Sequence, residues 1–138
     1  MRKILKNNNR NRIGRVVFAL FFFAIFSAGC GGTITGEFSD PAKPVNVKLG
    51  DKFTISLESN RTTGYTWQLA EQPDRKMLQF RGTKYITGDT KTVGAGGFEK
   101  WVFTAAKKGR TTLSFNYRRP WENAVPPAKK AVFYVTIE

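Results

Sequence analysis

The sequence of 138 residues contains no histidine and only one cysteine. Without histidine the chain lacks the usual general base near neutral pH, every Ser-His or Cys-His catalytic pair and every imidazole metal ligand. A single cysteine excludes an intramolecular disulfide and a multi-thiolate zinc site. The most common hydrolase chemistry is therefore disfavoured, and we predict neither a metal nor a cofactor. Three classes of protein remain: a binding module, a structural surface protein and a carboxylate-based enzyme.

Acidic residues are also scarce, because 10 Asp and Glu stand against 23 Lys and Arg, which gives a net charge of +13. Six of the basic residues lie within the first 29, so the rest of the chain has 17 basic and 10 acidic residues and a charge of +7. These remaining basic residues occur singly or in pairs, without the blocks of five or six that mark nucleic-acid tails. We therefore expect no nucleic-acid partner.

The first thirty residues have the pattern of a secretory signal. Basic residues precede an apolar run from Val16 to Phe26, which is too short for the roughly 20 residues of a membrane-spanning helix. The segment 27–30 (Ser-Ala-Gly-Cys) resembles a bacterial lipobox, in which Cys30 would be lipidated and become the first mature residue. Gly31 after it, rather than Asp, implies an outer-membrane anchor with the domain in the periplasm or at the surface. The alternatives are an uncleaved anchor and a free thiol after an ordinary cleavage site.

These features divide the chain into three parts. Residues 1–29 are predicted to form the lipoprotein signal peptide. Residues 30–44, which are rich in Gly, Thr, Ser, Pro and Asp, are predicted to be the lipidated cysteine and a flexible tether. Residues 45–138 are left as one domain of ordinary size, for which we expect a monomer.

The domain has the period-2 alternation of strands with one buried face, and it shows no amphipathic helix of ten or more residues. Six to eight short strands between Gly- and Pro-rich turns predict an antiparallel sandwich or barrel, with Trp67 and Trp101 in its core. The alternating segments are Val45–Leu49, Phe53–Leu57, Tyr65–Leu69, Trp101–Ala105, Leu113–Tyr117 and Phe133–Ile137, with shorter candidates at Met77–Arg81 and Lys84–Thr87.

Three segments between these strands carry more special residues than a connection requires. Each has an ordinary interpretation: a turn with left-handed residues, a flexible glycine linker, and a tryptophan that caps the sandwich edge. The segments are Asn60-Arg61-Thr62-Thr63-Gly64-Tyr65, Gly94-Ala95-Gly96-Gly97 and Arg119-Pro120-Trp121.

In order and spacing, the stretches NRTTGYTW, GAGG and RRPW resemble the three loops of the chagasin-type inhibitors of papain-like cysteine peptidases. The resemblance covers the domain from about Val45 to Glu138. It implies an immunoglobulin-like β-sandwich and a reversible, competitive inhibitor that occludes the active-site cleft. It also implies a papain-like peptidase as the partner, and no cofactor.

The resemblance also assigns roles to the loops. Thr62, Thr63 and Gly64 would form the central wedge over the catalytic cysteine of the peptidase. Gly94 to Gly97 would pair backbone with the peptidase along one flank, and Arg119 to Trp121 would supply a rigid aromatic anchor on the other. Arg61 stands where the family most often has proline, which predicts a looser loop.

Two other functions stay open at this stage. One is an immunoglobulin-like envelope module that binds carbohydrate or a surface protein without inhibiting a peptidase. The other is a glycosidase, which needs two facing carboxylates. Acidic residues of the right type are present, but their spacing suggests no pair; they are Asp74, Asp89, Glu99 and Glu122.

Overall fold

The computed structural model describes residues 34–88, 94–122 and 124–138. The predicted signal peptide and Cys30 lie outside these residues. In the described part of the chain no helix is long and apolar enough to cross a membrane. The elements are strands β1 (Ile34–Phe38), β2 (Val45–Val47), β3 (Lys52–Ser59), β4 (Thr66–Leu69), β5 (Leu78–Thr87), β6 (Gly97–Ala105), β7 (Gly109–Arg118) and β8 (Lys129–Ile137), with one 3₁₀ helix at Arg61–Thr63.

The eight strands form two four-stranded sheets, ordered β1-β3-β6-β5 and β2-β8-β7-β4. The predicted β-sandwich is confirmed, but it is not purely antiparallel. The edge strands β1 and β2 pair in parallel, with β3 and β8 respectively. The reason is the path of the chain, which runs along one sheet as β1 and then crosses to the other sheet and reverses as β2.

The core forms because apolar side chains at alternate strand positions point between the two sheets. On β6 and β7, for example, Trp101, Phe103, Phe115 and Tyr117 are buried, and Trp67 joins them from β4 as predicted. Aromatic rings meet edge to face across this layer. Among the described residues, every buried apolar side chain lies between Val45 and Ile137, and these side chains form one core cluster.

The predicted flexible tether is wrong for residues 34–38, which form β1. Phe38 packs edge to face on the core residue Phe53, with 6.2 Å between ring centres. Glu37 forms an ion pair with Lys100 on β6 at 2.8 Å. These contacts offset the poor strand composition of this segment. Among the described residues of the predicted tether, the irregular, exposed residues 39–44 keep the character of a linker.

The two short candidates at 77–81 and 84–87 are one continuous strand, β5. Its pairing with β6 shifts register between Phe80 and Gly82, and Gly82 has a φ of 145°. Glycine adopts this backbone without a steric penalty. The break in alternation that divided the two candidates is therefore a bulge within one strand.

Strand pairing places the special segments at one end of the sandwich. Ser59, the last residue of β3, pairs with Gly97, and Thr66 of β4 pairs with Arg118. The first strand begins at the other end, because Ile34 pairs with Lys52. We call these the loop end and the opposite end, the latter comprising residues 48–51, 106–108 and Glu138.

Candidate functional site

The site consists of three neighbouring loops at the loop end. Loop 1 (residues 60–65) joins β3 to β4, loop 2 (residues 94–97) leads into β6, and loop 3 (residues 119–122) follows β7. The three segments singled out from the sequence are thus brought together by the sheet pairing.

Loop 1 contains one turn of 3₁₀ helix that is capped at both ends. The side-chain oxygen of Asn60 accepts hydrogen bonds from Thr62 N at 3.2 Å and from Thr62 Oγ1 at 2.6 Å. Thr63 Oγ1 donates to Asn60 O at 2.6 Å. Gly64, with a φ of 79°, ends the turn by donating its N–H to Arg61 O at 3.0 Å. Both hydroxyl protons are used inside the loop, so the exposed threonine oxygens are left as acceptors.

Loop 1 packs directly against loop 3 at Gly64. A Cβ atom at this position would lie 2.7 Å from Cη2 of Trp121, closer than any side chain allows. Arg119 Nε donates to Thr63 O at 3.3 Å, and its guanidinium lies 4.7 Å from the centre of the Tyr65 ring. Gly64 therefore has two roles: its backbone ends the 3₁₀ turn, and its lack of a side chain leaves room for the Trp121 ring.

Loop 3 is held by arginine side chains. Arg118 Nη2 donates to the carbonyl oxygens of Glu122 at 2.6 Å and Val125 at 2.9 Å. Arg119 Nη1 pairs with Glu122 Oε1 at 3.1 Å, and this hydrogen bond raises the pKa of Arg119 above its ordinary value. Trp121 nevertheless remains 67% exposed. A large apolar ring is thus presented to solvent by a rigid turn.

Loop 2 touches loop 1 through backbone and amide groups. Asn60 Nδ2 donates to Gly94 O at 3.3 Å, and a Cβ atom at Gly96 would lie 3.3 Å from Ser59 O. Gly97 differs from the rest of the predicted motif, because it is buried at the start of β6. There a Cβ atom would lie 2.3 Å from Ile86 O, so Gly97 supports the loop instead of presenting a surface.

Aromatic side chains support loop 1 from below. Tyr117 Oη accepts a hydrogen bond from Asn60 N at 2.8 Å, and its ring stacks on Tyr65 with centres 5.3 Å apart. Trp67 also packs on this tyrosine, with 5.0 Å between ring centres, and donates its indole N–H to Glu58 O at 2.8 Å. The sequence predicted Trp67 in the core and Tyr65 at the end of loop 1. The contact of Tyr117 with loop 1 was not predicted, because alternation does not reveal which hydroxyl reaches a loop.

Arg61 and Glu99 form a contact that sequence reasoning missed. Arg61 Nε lies 3.7 Å from Glu99 Oε1, and the guanidinium carbon lies 4.6 Å from the centre of the Tyr85 ring. The looser loop expected from the absence of proline at position 61 is therefore opposed by side-chain contacts. Glu99 is on β6, and no local spacing in the sequence relates it to position 61.

The carboxylates considered for a glycosidase have structural partners. Glu99 faces Arg61, Glu122 faces Arg119, and Asp74 Oδ1 accepts from Lys76 N at 2.8 Å. Asp89 lies outside the described residues. Within those residues, no three His, Cys, Asp or Glu side chains form a group that could hold a metal ion.

The domain that carries these loops is similar to known proteins. Residues 46–137 match the model of the chagasin family of peptidase inhibitors, I42. Chagasin from Trypanosoma cruzi is 30% identical over 95 residues, which are 66% of this chain and 86% of chagasin.

Two solved structures share the fold. The cysteine protease inhibitor EhICP2 from Entamoeba histolytica superposes with a TM-score of 0.62 at 19% identity, over 75% of this chain and 94% of that one. PbICP-C, solved in complex with falcipain-2, gives a TM-score of 0.53 at 18% identity, over 74% of this chain and 97% of that one.

Proposed function

This chain belongs to the chagasin family of peptidase inhibitors, and from that premise we propose that it is a reversible, competitive inhibitor of papain-like cysteine peptidases. The family consists of inhibitors and not of enzymes. The observation that carries the proposal is that all three family-type loops meet at one end of the sandwich and are tied together there. Loop 1 bonds to loop 2 through Asn60 and to loop 3 through Arg119.

The proposed mechanism is occlusion of the cleft. Thr62 to Gly64 enter as the wedge, because small side chains and a glycine let backbone approach a deep site. Gly94 to Gly96 offer backbone with little side-chain cover on one flank for strand-like pairing. Trp121 supplies the apolar anchor on the other flank, in the manner of many interface hot spots.

Rigid support of the loops favours tight binding. Each loop is held by hydrogen bonds or ring contacts to the sandwich, so little conformational entropy is lost when a peptidase binds. No bond of the inhibitor has to be cleaved. Of the residues predicted for the interface, Gly97 and Tyr65 act here as supports, since Gly97 is buried and Tyr65 stacks on Tyr117.

The direct test is a titration of papain with the purified chain and a fluorogenic peptide substrate. We expect an increase in apparent KM at constant kcat, and recovery of activity on dilution. Failure of the folded chain to inhibit papain and several relatives would overturn the proposal. The alternative of an envelope module that binds carbohydrate or a surface protein would then be preferred.

We further propose that the chain is a lipoprotein anchored through Cys30 in the outer membrane of a Gram-negative cell, where it acts as a monomer. The Ser-Ala-Gly-Cys pattern at 27–30 supports the anchor. The position of β1 fits this role, because Ile34 begins at the opposite end from the loops. An anchor on that side leaves the loop end directed away from the membrane.

Metabolic labelling with an alkyne fatty acid tests the anchor. The wild-type chain, expressed in a Gram-negative host, should take up the label and fractionate with outer membranes, whereas Cys30→Ser should do neither. A wild-type chain that remains unlabelled and soluble in the periplasm would contradict the anchor and leave the inhibitor proposal unaffected. Gel filtration of the released domain tests the monomer.

A further inference from the structure

Arg61 is the first residue of the 3₁₀ turn, yet its side chain points away from loop 1. It contacts the sheet that contains β3, β5 and β6. The guanidinium lies over the ring of Tyr85 on β5, with 4.6 Å between its carbon and the ring centre. Its Nε lies 3.7 Å from Glu99 Oε1 on β6. The side chain is 45% exposed, so it bridges loop and sheet along the surface.

Glu99 is an unusual partner, because its side chain is only 1% exposed. Its Oε1 accepts hydrogen bonds from Ser59 Oγ at 2.7 Å and from Trp67 N at 3.3 Å. Those bonds fix the carboxylate between the end of β3 and the start of β4, the two strands that loop 1 connects. A buried carboxylate also needs a cation nearby, and within the described residues Arg61 is the one that forms an ion pair with it.

Tyr85 keeps its place because Gly97 has no side chain. A Cβ atom at Gly97 would lie 2.7 Å from Cζ and from Oη of Tyr85. The last glycine of the GAGG motif therefore makes room for the ring on which the Arg61 guanidinium rests. This gives Gly97 a role in the site even though it is buried.

Resting on the proposed function, we propose that Arg61 is the positioning residue of the wedge. Its clamp between Tyr85 and Glu99 holds residues 62–64 in the conformation that enters the peptidase cleft. Asn60 and Tyr117 tie the beginning of loop 1 to the second sheet, and Arg61 ties the turn itself to the first. The clamp supplies through side-chain contacts the restriction of φ that proline would supply covalently.

The proposal is tested by removing the Arg61 contacts that restrict loop 1 and then restricting the same backbone with proline. Arg61→Ala should weaken inhibition of papain about three- to tenfold, the range expected for one cation–π contact with a half-exposed ion pair. Arg61→Pro should restore most of the lost affinity, because proline is favoured at the first position of a helical turn. Arg110→Ala is the matched control, since it removes one exposed arginine from the opposite half of β7 and should leave inhibition unchanged.

A double-variant cycle separates positioning from direct contact with the peptidase. If Arg61 acts through Tyr85, then Tyr85→Leu should weaken inhibition, and combining it with Arg61→Ala should add little further loss. Tyr85→Phe keeps the ring and should match the wild type. Additive losses, or an Arg61→Pro variant that stays as weak as Arg61→Ala, would show that the guanidinium binds the peptidase itself and would overturn the proposal.

A measurement on the free protein gives an independent readout. Amide hydrogen exchange at Gly64, whose N–H donates to Arg61 O, should be faster in Arg61→Ala than in the wild type and slow again in Arg61→Pro. Equal exchange in all three would contradict the clamp. Absence of inhibition by the wild-type chain would instead count against the proposed function, and the exchange comparison would still decide whether the clamp exists.

Discussion

The two ends of the sandwich are held together by different groups. At the opposite end, backbone bonds to backbone: Leu49 N donates to Glu138 O at 2.9 Å, and Gly50 N donates to Ala105 O at 2.8 Å. Such bonds are available to almost any sequence, because every residue except proline carries the donor and the acceptor. Those two bonds depend little on the identity of the side chains.

At the loop end, side chains make the connections. Asn60 bonds to the backbone of loop 2, Arg119 bonds to Thr63 O, and Trp121 lies against Gly64. The comparison teaches that residues at the opposite end can vary without consequence for inhibition, whereas the loop end depends on particular side chains. Substitutions at the loop end should therefore affect inhibition, whereas substitutions at the opposite end should not.

The largest contrast is expected between Thr63→Arg and Lys108→Glu. Thr63 is exposed at the centre of the wedge, so a long cation there should collide with the walls of the cleft and weaken inhibition at least about a hundredfold. Lys108 is exposed in a turn at the opposite end, and reversing its charge should leave the inhibition constant within about twofold. Inhibition constants for papain check both, and equal effects would remove the functional distinction between the ends.

A second contrast compares two large aromatic side chains, Trp121 and Tyr134, that are exposed to nearly the same degree. Trp121 is 67% exposed in loop 3, and Tyr134 is 65% exposed on the outer face of β8. Trp121→Ala should weaken inhibition roughly ten- to hundredfold, as for an interface anchor, while Tyr134→Ala should not. Both should change the free energy of unfolding by no more than about 0.5 kcal/mol. Loss of affinity in Tyr134→Ala would mean that the interface extends beyond the loops.

A third contrast compares two glycines with left-handed backbone. Gly64 has a φ of 79° and Gly50 a φ of 88°, so alanine strains both to a similar degree, by about 1 kcal/mol of unfolding free energy. A Cβ atom at Gly50 would meet nothing within 4 Å, whereas at Gly64 it would displace Trp121. Denaturant unfolding should therefore show both losses. Only Gly64→Ala should also weaken inhibition, by about tenfold. An unchanged inhibition constant in that variant would indicate that the position of Trp121 does not matter for binding the peptidase.

The smallest effect, on stability alone, is expected at Glu37, which lies between the two ends of the sandwich. The hydrogen bond from Lys100 is the main cause that holds the pKa of Glu37 below its ordinary value of 4.5. Its contribution to stability is therefore present above about pH 4.5 and is lost as the pH falls through the lowered pKa. For an exposed pair the contribution is at most about 0.5 kcal/mol. In Lys100→Gln, the free energy of unfolding should fall less steeply as the pH is lowered below about 4.5, and inhibition should not change. The same pH dependence in the variant and the wild type would show that Lys100 does not lower the pKa of Glu37.

Much of the sandwich could be predicted from the sequence, because alternation is a local property. The buried faces of β6 and β7 follow directly from Trp101, Phe103, Phe115 and Tyr117. The strand β1 could not be predicted, because its composition is that of a linker and it is stabilised by contacts with distant residues: pairing with β3, the contact of Phe38 with Phe53 and the ion pair of Glu37 with Lys100. Strand preference depends on such tertiary context.

The loops of the site could be found because their unusual residues are contiguous in sequence. Their supports could not, because each support comes from another strand. Glu99, Tyr85 and Tyr117 reach loop 1 from β6, β5 and β7, and no spacing along the chain encodes those contacts. Gly97 shows the converse, since a motif residue expected at the surface lies buried beneath it.

The central claim is that the loop end covers the catalytic cysteine of a papain-like peptidase. It is tested most directly by the rate at which iodoacetamide alkylates the catalytic thiol of papain, with and without a saturating amount of the chain. Occlusion predicts strong protection by the wild-type chain and by Lys108→Glu, and little protection by Thr63→Arg. Alkylation at the rate of free papain while the substrate is still excluded would contradict occlusion, because it would place the inhibitor away from the catalytic residue.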